Sequence, residues 1–153
     1  MIEELSRDRL PQAMELVWRV FQEFEAPEYA PEGVETFRQY IRAEDMAIRV
    51  QSGDLRLWGD WGDGDLRGVL ALRARHISLL FVDKRWHRQG IARGLLETAA
   101  SQCRETGREE ITVHSSPYGV GIYERLGFVP VDKERVEDGI RYTPMVLRLC
   151  GET

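Results

Sequence analysis

The chain has little of what would tie it to a disulfide scaffold, a membrane or a nucleic acid. It has two cysteines, Cys103 and Cys150, in 153 residues. Neither stands in a CxxC or other metal-ligand spacing, and two thiols do not make a disulfide framework. No stretch approaches the roughly 20 apolar residues of a membrane-spanning helix. The opening MIEELSRDRL has no apolar run leading to a cleavage site, so no signal peptide is visible. Positive charge is in the minority, with a net charge of −5. General binding to a phosphate backbone needs a broad excess of Lys and Arg instead. The GxGxxG turn of a dinucleotide site is absent, and no acidic ribose-binding residue sits at the right distance. The expectation is a cytoplasmic protein in a reducing environment, with no metal, no membrane partner and no nucleic-acid partner.

What is present reads as one domain spanning 1–153. The apolar fraction of 42% and charged fraction of 31% are ordinary for a globular chain. Basic residues are local: Lys84, Arg85, Arg88 and Arg93 fall within ten positions. A mildly acidic protein with one basic patch suits a small polyanionic ligand. That patch lies in His76–Leu96, HISLLFVDKRWHRQGIARGLL, around which the chain is organised. The stretch opens as an apolar strand and enters a helix through Arg88-Gln89-Gly90-Ile91-Ala92. Free N–H groups and the helix dipole make such a turn a phosphate grip.

The remaining pattern predicts an edge strand at Met1–Glu4 and a helix over Arg9–Glu25 carrying Leu10, Met14, Val17, Trp18, Phe21 and Phe24. Phe24, at its end, is a candidate wall of a substrate pocket. APEYAP (Ala26–Pro31) breaks that helix, and its loop with Tyr29 is a lid candidate. A helix over Pro31–Arg42 follows. Strands are predicted at Ala47–Gln51, Leu55–Trp61, Leu66–Arg73 and Ala74–Val82, with a turn at Gly62–Asp65. On the last of these, period two puts His76, Ser78, Leu80 and Val82 on one face. A helix from Ile91 ends near Thr106-Gly107. Then come a strand (Glu110–Ser115), a short helix (Pro117–Leu126), a strand (Phe128–Val131), a turn (Glu137-Asp138-Gly139) and a last strand (Arg141–Leu149). This order describes a mixed α/β sheet.

Three segments resemble the GCN5-related N-acetyltransferases (GNAT). His87-Arg88-Gln89-Gly90-Ile91-Ala92 is similar to the family's loop of Gln or Arg, two residues, Gly, one residue, and Gly or Ala. His87 departs from that pattern. Ser116–Phe128, ending Tyr123-Glu124-Arg125-Leu126-Gly127-Phe128, looks like the family's late helix with its YxxLGF ending. Tyr142-Thr143-Pro144-Met145 is similar to its last strand. The likeness covers roughly Leu66 to Leu149; earlier residues match in helix order only.

The resemblance implies a single-domain GNAT fold: a mixed, mostly antiparallel sheet of about six or seven strands flanked by about four helices. It implies acetyl-CoA as cosubstrate and an amine acceptor, small molecule or protein, with a homodimer possible through the last strands. The backbone of Leu80, Phe81 and Val82 would bind the pantetheine arm by strand addition. His87, Arg88, Gln89, Gly90, Ile91, Ala92 and Arg93 would hold the pyrophosphate. Tyr123 takes the position of the general acid, with Tyr118 a second candidate. His76 takes the place of a catalytic Glu and is the candidate base, with His114 behind it; many members use a water chain instead. Glu23, Glu25, Glu28 and Glu32 would steer a cationic amine. The rival reading is a non-catalytic CoA-binding module of the same fold, separated from the enzyme by a thiol-release screen against amines.

Overall fold

The computed structural model describes residues 1–149, so Cys150 lies outside the described residues. Eight strands are present among them: β1 (Ile2–Glu4), β2 (Arg56–Gly62), β3 (Asp65–Arg73), β4 (His76–Val82), β5 (Glu110–Ser115), β6 (Val129–Pro130), β7 (Arg135–Glu137) and β8 (Ile140–Arg148). They run across the sheet as β1-β2-β3-β4-β5-β8-β6, with β7 paired to β8. Only β4 and β5 pair in parallel. The five helices are α1 (Leu10–Phe24), α2 (Pro31–Tyr40), α3 (Ala43–Gln51), α4 (Ile91–Glu105) and α5 (Val120–Arg125). This is the GNAT architecture expected from the sequence, with one more strand and one more helix.

Each face of the sheet carries its own core. On one, α1 lays Leu10, Val17 and Phe21 against Val69, Ala71 and Phe81. Phe21 is fully buried, stacked on Phe37 with ring centroids 4.0 Å apart. A side chain of that size contributes roughly 1.5–3 kcal/mol by leaving water. On the other face, α4 packs Leu95, Ala99 and Cys103 against Leu70, Leu72 and Ile111. Gly107, at φ +78°, ends α4, and Arg108 N–H returns to Cys103 O at 2.9 Å. That is a left-handed helix stop, as the sequence predicts.

Two elements differ from expectation. Ala47–Gln51 is not a strand but the last part of α3. Met46 is fully buried and Val50 packs on the same core, four residues apart, while Ile48 is 66% exposed. In a strand Ile48 and Val50 would share a face, so the helical period wins. Glu44 and Asp45 in the first turn suit the helix dipole. The second is β7, which the sequence pattern left unassigned. It forms because Asp138 (φ +53°) and Gly139 (φ +80°) make a two-residue hairpin turn onto β8.

The feature that positions the site is an irregularity in β4. Ala71 pairs with Leu79 and Leu72 with Ile77, which leaves Ser78 as a bulge. The bulge flips the alternation, so Ile77 packs with Leu80 and Val82 on the α4 side while Leu79 and Phe81 face α1. His76, paired with Arg73, therefore does not share a face with Leu80 and Val82, contrary to the simple period of two. Bulges also bend the strand that carries them. β4 and β5 pair only at His76–Thr112 and Ile77–Val113, and the strands part directly before the bulge.

The β7–β8 turn docks on the start of α2. A Cβ on Gly33 would lie 2.1 Å from the Gly139 carbonyl oxygen. Thr36 Oγ1 donates to Asp138 O at 2.9 Å, and Arg141 Nη1 donates to Glu28 O at 3.1 Å. Gly33→Ala must push two backbones apart. We expect a loss of about 1–3 kcal/mol in urea denaturation, against a change within about 0.5 kcal/mol for an exposed α2 control, Glu35→Gln.

Candidate active site

The opening between β4 and β5 exposes one edge of β4. Asp83 N–H donates to Arg67 O at 2.8 Å, so Asp83 turns its backbone toward β3. Alternation then turns Phe81 toward β3 and Val82 and Leu80 into the opening. The His87 ring confirms the direction for Val82: its Nε2–H, in the tautomer this contact requires, donates to Val82 O at 2.8 Å. Of the three predicted rail residues, Leu80 and Val82 thus turn backbone groups into the opening. Phe81 spends its own on β3 and buries its ring in the α1 core.

The strand runs into Asp83, which is buried and holds the following turn. It accepts from Arg85 N–H at 2.9 Å and from Arg19 Nη2 at 2.7 Å. Burial works to raise its pKa, but the hydrogen bonds from Arg85 and Arg19 together hold it below the ordinary value. Lys84 Nζ pairs with Glu23 at 3.0 Å. Both ion pairs tie α1 to the turn. Asp83 was missed in the sequence; its signal is an Asp capping the Lys84–Trp86 3-10 turn.

Beyond it, Arg88 has φ +65° and Gly90 has φ +81°. Left-handed residues at this spacing gather N–H groups into a concave anion cradle that leads into the N-terminus of α4. Arg88 holds that conformation despite its Cβ, at about 1–2 kcal/mol. A Cβ at Gly90 would meet no atom within 4 Å, so the glycine serves φ and open approach, not packing. Arg88, Gln89 and Gly90 are exposed, Ala92 is half-buried, and Ile91 anchors α4 in the core. Arg93 Nη2 instead donates to Arg125 O, 3.2 Å away at the end of α5. An open cradle with Arg88 beside it, at the end of an unpaired strand edge, fits a pyrophosphate followed by an amide-bearing arm.

Tyr123 of α5 is buried in the α4-side core and edge-on to Phe128 at 5.2 Å. Burial raises its pKa, and the charge of Glu25 adds to this. Glu25 closes α1. Burial pushes its carboxyl up to about 7, a hydrogen bond from Ser116 opposes this, and Glu28 adds to it. Phe24 beside it lies 5.2 Å from both His87 and Tyr118, spanning the mouth of the opening. Glu25 was read in the sequence only as one of four steering acids. The missed signal is its place on the apolar stripe Met14–Val17–Phe21, one turn after Phe21, where a solvated carboxylate does not belong.

His76 sits at the deep end, where β4 and β5 still pair. Its Nδ1 lies 2.7 Å from Thr112 Oγ1, and its ring meets His114 edge-on at 4.6 Å. Burial pushes His76 down to about 4, with His114, Arg73 and Arg75 adding to the shift. His114 stacks on Tyr142 at 4.3 Å. The structure thus brings Tyr123 and Glu25 together and sets His76 with His114 in a separate cluster.

The family model described as acetyltransferase (GNAT) domain matches residues 25–149. No curated protein sequence matches. Among solved structures, a GCN5-related N-acetyltransferase from Rhodopseudomonas palustris superposes with a TM-score of 0.84 at 16% identity, over 97% of this chain and 95% of that one. PaiA N-acetyltransferase from Thermoplasma acidophilum, solved with coenzyme A, gives 0.80 at 21% identity, over 97% and 98%. An aminoglycoside 6′-N-acetyltransferase, also complexed with coenzyme A, gives 0.69 at 10% identity, over 100% and 99%. With most of its length matched by that family model, the chain belongs to the GNAT acetyltransferases.

Proposed function

We propose that this protein is an acetyl-CoA-dependent N-acetyltransferase that moves an acetyl group to a primary amine. The observation that carries the reading is the opened β4 edge, with the Arg88–Gly90 cradle at one end. Two relatives of this fold are solved with coenzyme A, which supports the same cosubstrate here.

In this reading the exposed N–H groups of Gln89–Ala92 and the Arg88 guanidinium hold the pyrophosphate. The backbone of Leu80 and Val82 orients the pantetheine amides. His87 must release Val82 O if that carbonyl is to accept from the arm. A raised pKa keeps the Tyr123 hydroxyl protonated at every physiological pH, so it can donate to the departing sulfur. His76 is the proton acceptor implied by the resemblance. It is neutral at pH 7, but a group pushed to about 4 is a weak base toward an ammonium near 10.

Isothermal titration with acetyl-CoA should show micromolar or tighter binding. Gly90→Ala should weaken it about tenfold or more, because the methyl group strains the turn and fills the cradle; unchanged affinity would move the pyrophosphate elsewhere. Tyr123→Phe should bind acetyl-CoA as the wild type does, yet release thiol about 100-fold or more slowly with an active amine. Full turnover in that variant removes Tyr123 from the acid role. If His76 takes the amine proton, its acid limb falls near pH 4 and vanishes in His76→Ala.

A further inference from the structure

Building on the acetyltransferase reading, we infer that Glu25, rather than His76, takes the proton from the acceptor amine. Glu25 ends α1 at the mouth of the β4–β5 opening, where Phe24 bridges His87 and Tyr118. The Ser116 hydroxyl, whose Oγ accepts from Gly119 N–H at 3.1 Å, works against the rise in the Glu25 pKa. The neighbouring acids are neutralised: Glu23 pairs with Lys84 and Glu134 with Arg141. Among the described residues Glu25 is in no ion pair. The other titratable groups around it are Glu28 and Tyr29 on its own turn and Tyr118 and Tyr123 from the α5 side; Arg141 reaches Tyr29 and Glu28 O from β8. A desolvated carboxyl without a cation beside it is a place for an ammonium to dock and lose a proton.

The atoms balance as follows. The docked ammonium gives one proton to the Glu25 carboxylate and becomes a neutral amine. Its nitrogen bonds to the thioester carbonyl carbon, and the carbon–sulfur bond breaks. Sulfur takes the Tyr123 proton, and the second proton shed by nitrogen restores Tyr123. Glu25 then passes its proton to water, so the products are the amide, the CoA thiol and one proton. The two groups are coupled. Burial holds Tyr123 above its ordinary pKa and the Glu25 charge adds to this, so protonating Glu25 removes the second contribution and makes Tyr123 a stronger acid when sulfur leaves.

The test is Glu25→Gln, which keeps the size and the contact with Ser116. Thiol release is measured with polyamines, aminoglycosides, amino acids and N-terminal peptides, beside acetyl-CoA titration. We expect affinity for acetyl-CoA within about threefold of wild type and kcat/KM about 100-fold or more lower at pH 7. The wild-type rate should climb through a limb near pH 7 that the variant lacks. Thermal melts give a readout that needs no acceptor. A carboxyl whose folded pKa lies above its unfolded one loses stability as pH rises between the two. Wild type should therefore fall behind Glu25→Gln from pH 5 to pH 8. A variant that keeps the wild-type rate and limb overturns this inference alone, as does a constant difference between the melts. A wild type that binds acetyl-CoA but is silent across all amines overturns the enzymatic reading, and this inference with it.

Discussion

Everything in the site depends on the parting of β4 from β5 at Ser78. A parallel pair would normally satisfy the backbone groups of both strands along their length. Here the pairing stops after Ile77–Val113, and the bulge at Ser78 turns the strand aside. The N–H and C=O groups of Leu80 and Val82 are then left facing an opening. Unpaired backbone of this kind is tolerated only where a ligand, water or a side chain can satisfy it. His87 already does so for Val82 O. The same bend fixes the rest of the geometry. It carries Asp83 under Arg19, which ties α1 to the cradle. The two-sided core makes the bend affordable, because Leu79 and Phe81 on one face and Leu80 and Val82 on the other stay packed.

Much of this was legible in the residues, and the gaps have physical causes. The cradle could be read because its chemistry is local: Gly90, its neighbours and the start of α4 are contiguous. The late helix and its Tyr123 could be read because a short motif carries them. α4 and its Gly107 stop followed from apolar spacing and a left-handed residue. α3 was misread because AIRVQ fits a strand as well as a helix over five residues, and the deciding residue, Met46, lies just before it. The face assignment of His76 failed because a bulge is set by pairing with β3, and no single-strand pattern reveals the skipped residue. Glu25 was undervalued for a similar reason. Composition shows four acids near one loop, but only the fold shows that Lys84 neutralises one of them while Glu25 turns toward Ser116.

The electrostatics of the opening carry the argument one step further. Holding a carboxyl at about 7 instead of 4.5 costs on the order of 3 kcal/mol when it is ionised. That is a large share of the 5–15 or so kcal/mol that stabilise a typical domain. A glutamine, or an arginine reaching over from β8, would remove the penalty. The fold instead directs Arg141 to Glu134 and Glu28 O and leaves Glu25 without a cation. An ammonium arriving there would supply the missing charge, so the penalty is relieved only when an amine is bound. Binding and proton transfer then draw on the same source. In the proposed reaction the ammonium would be held because the carboxylate is desolvated, and would yield its proton more readily because the carboxyl is a stronger base than an exposed one. Loss of that negative charge would in turn ease proton donation from Tyr123, whose pKa the Glu25 charge helps to raise. In the proposed reaction, a single desolvated residue at the end of α1 would thus set both the preference for a cationic acceptor and the order in which the two protons move.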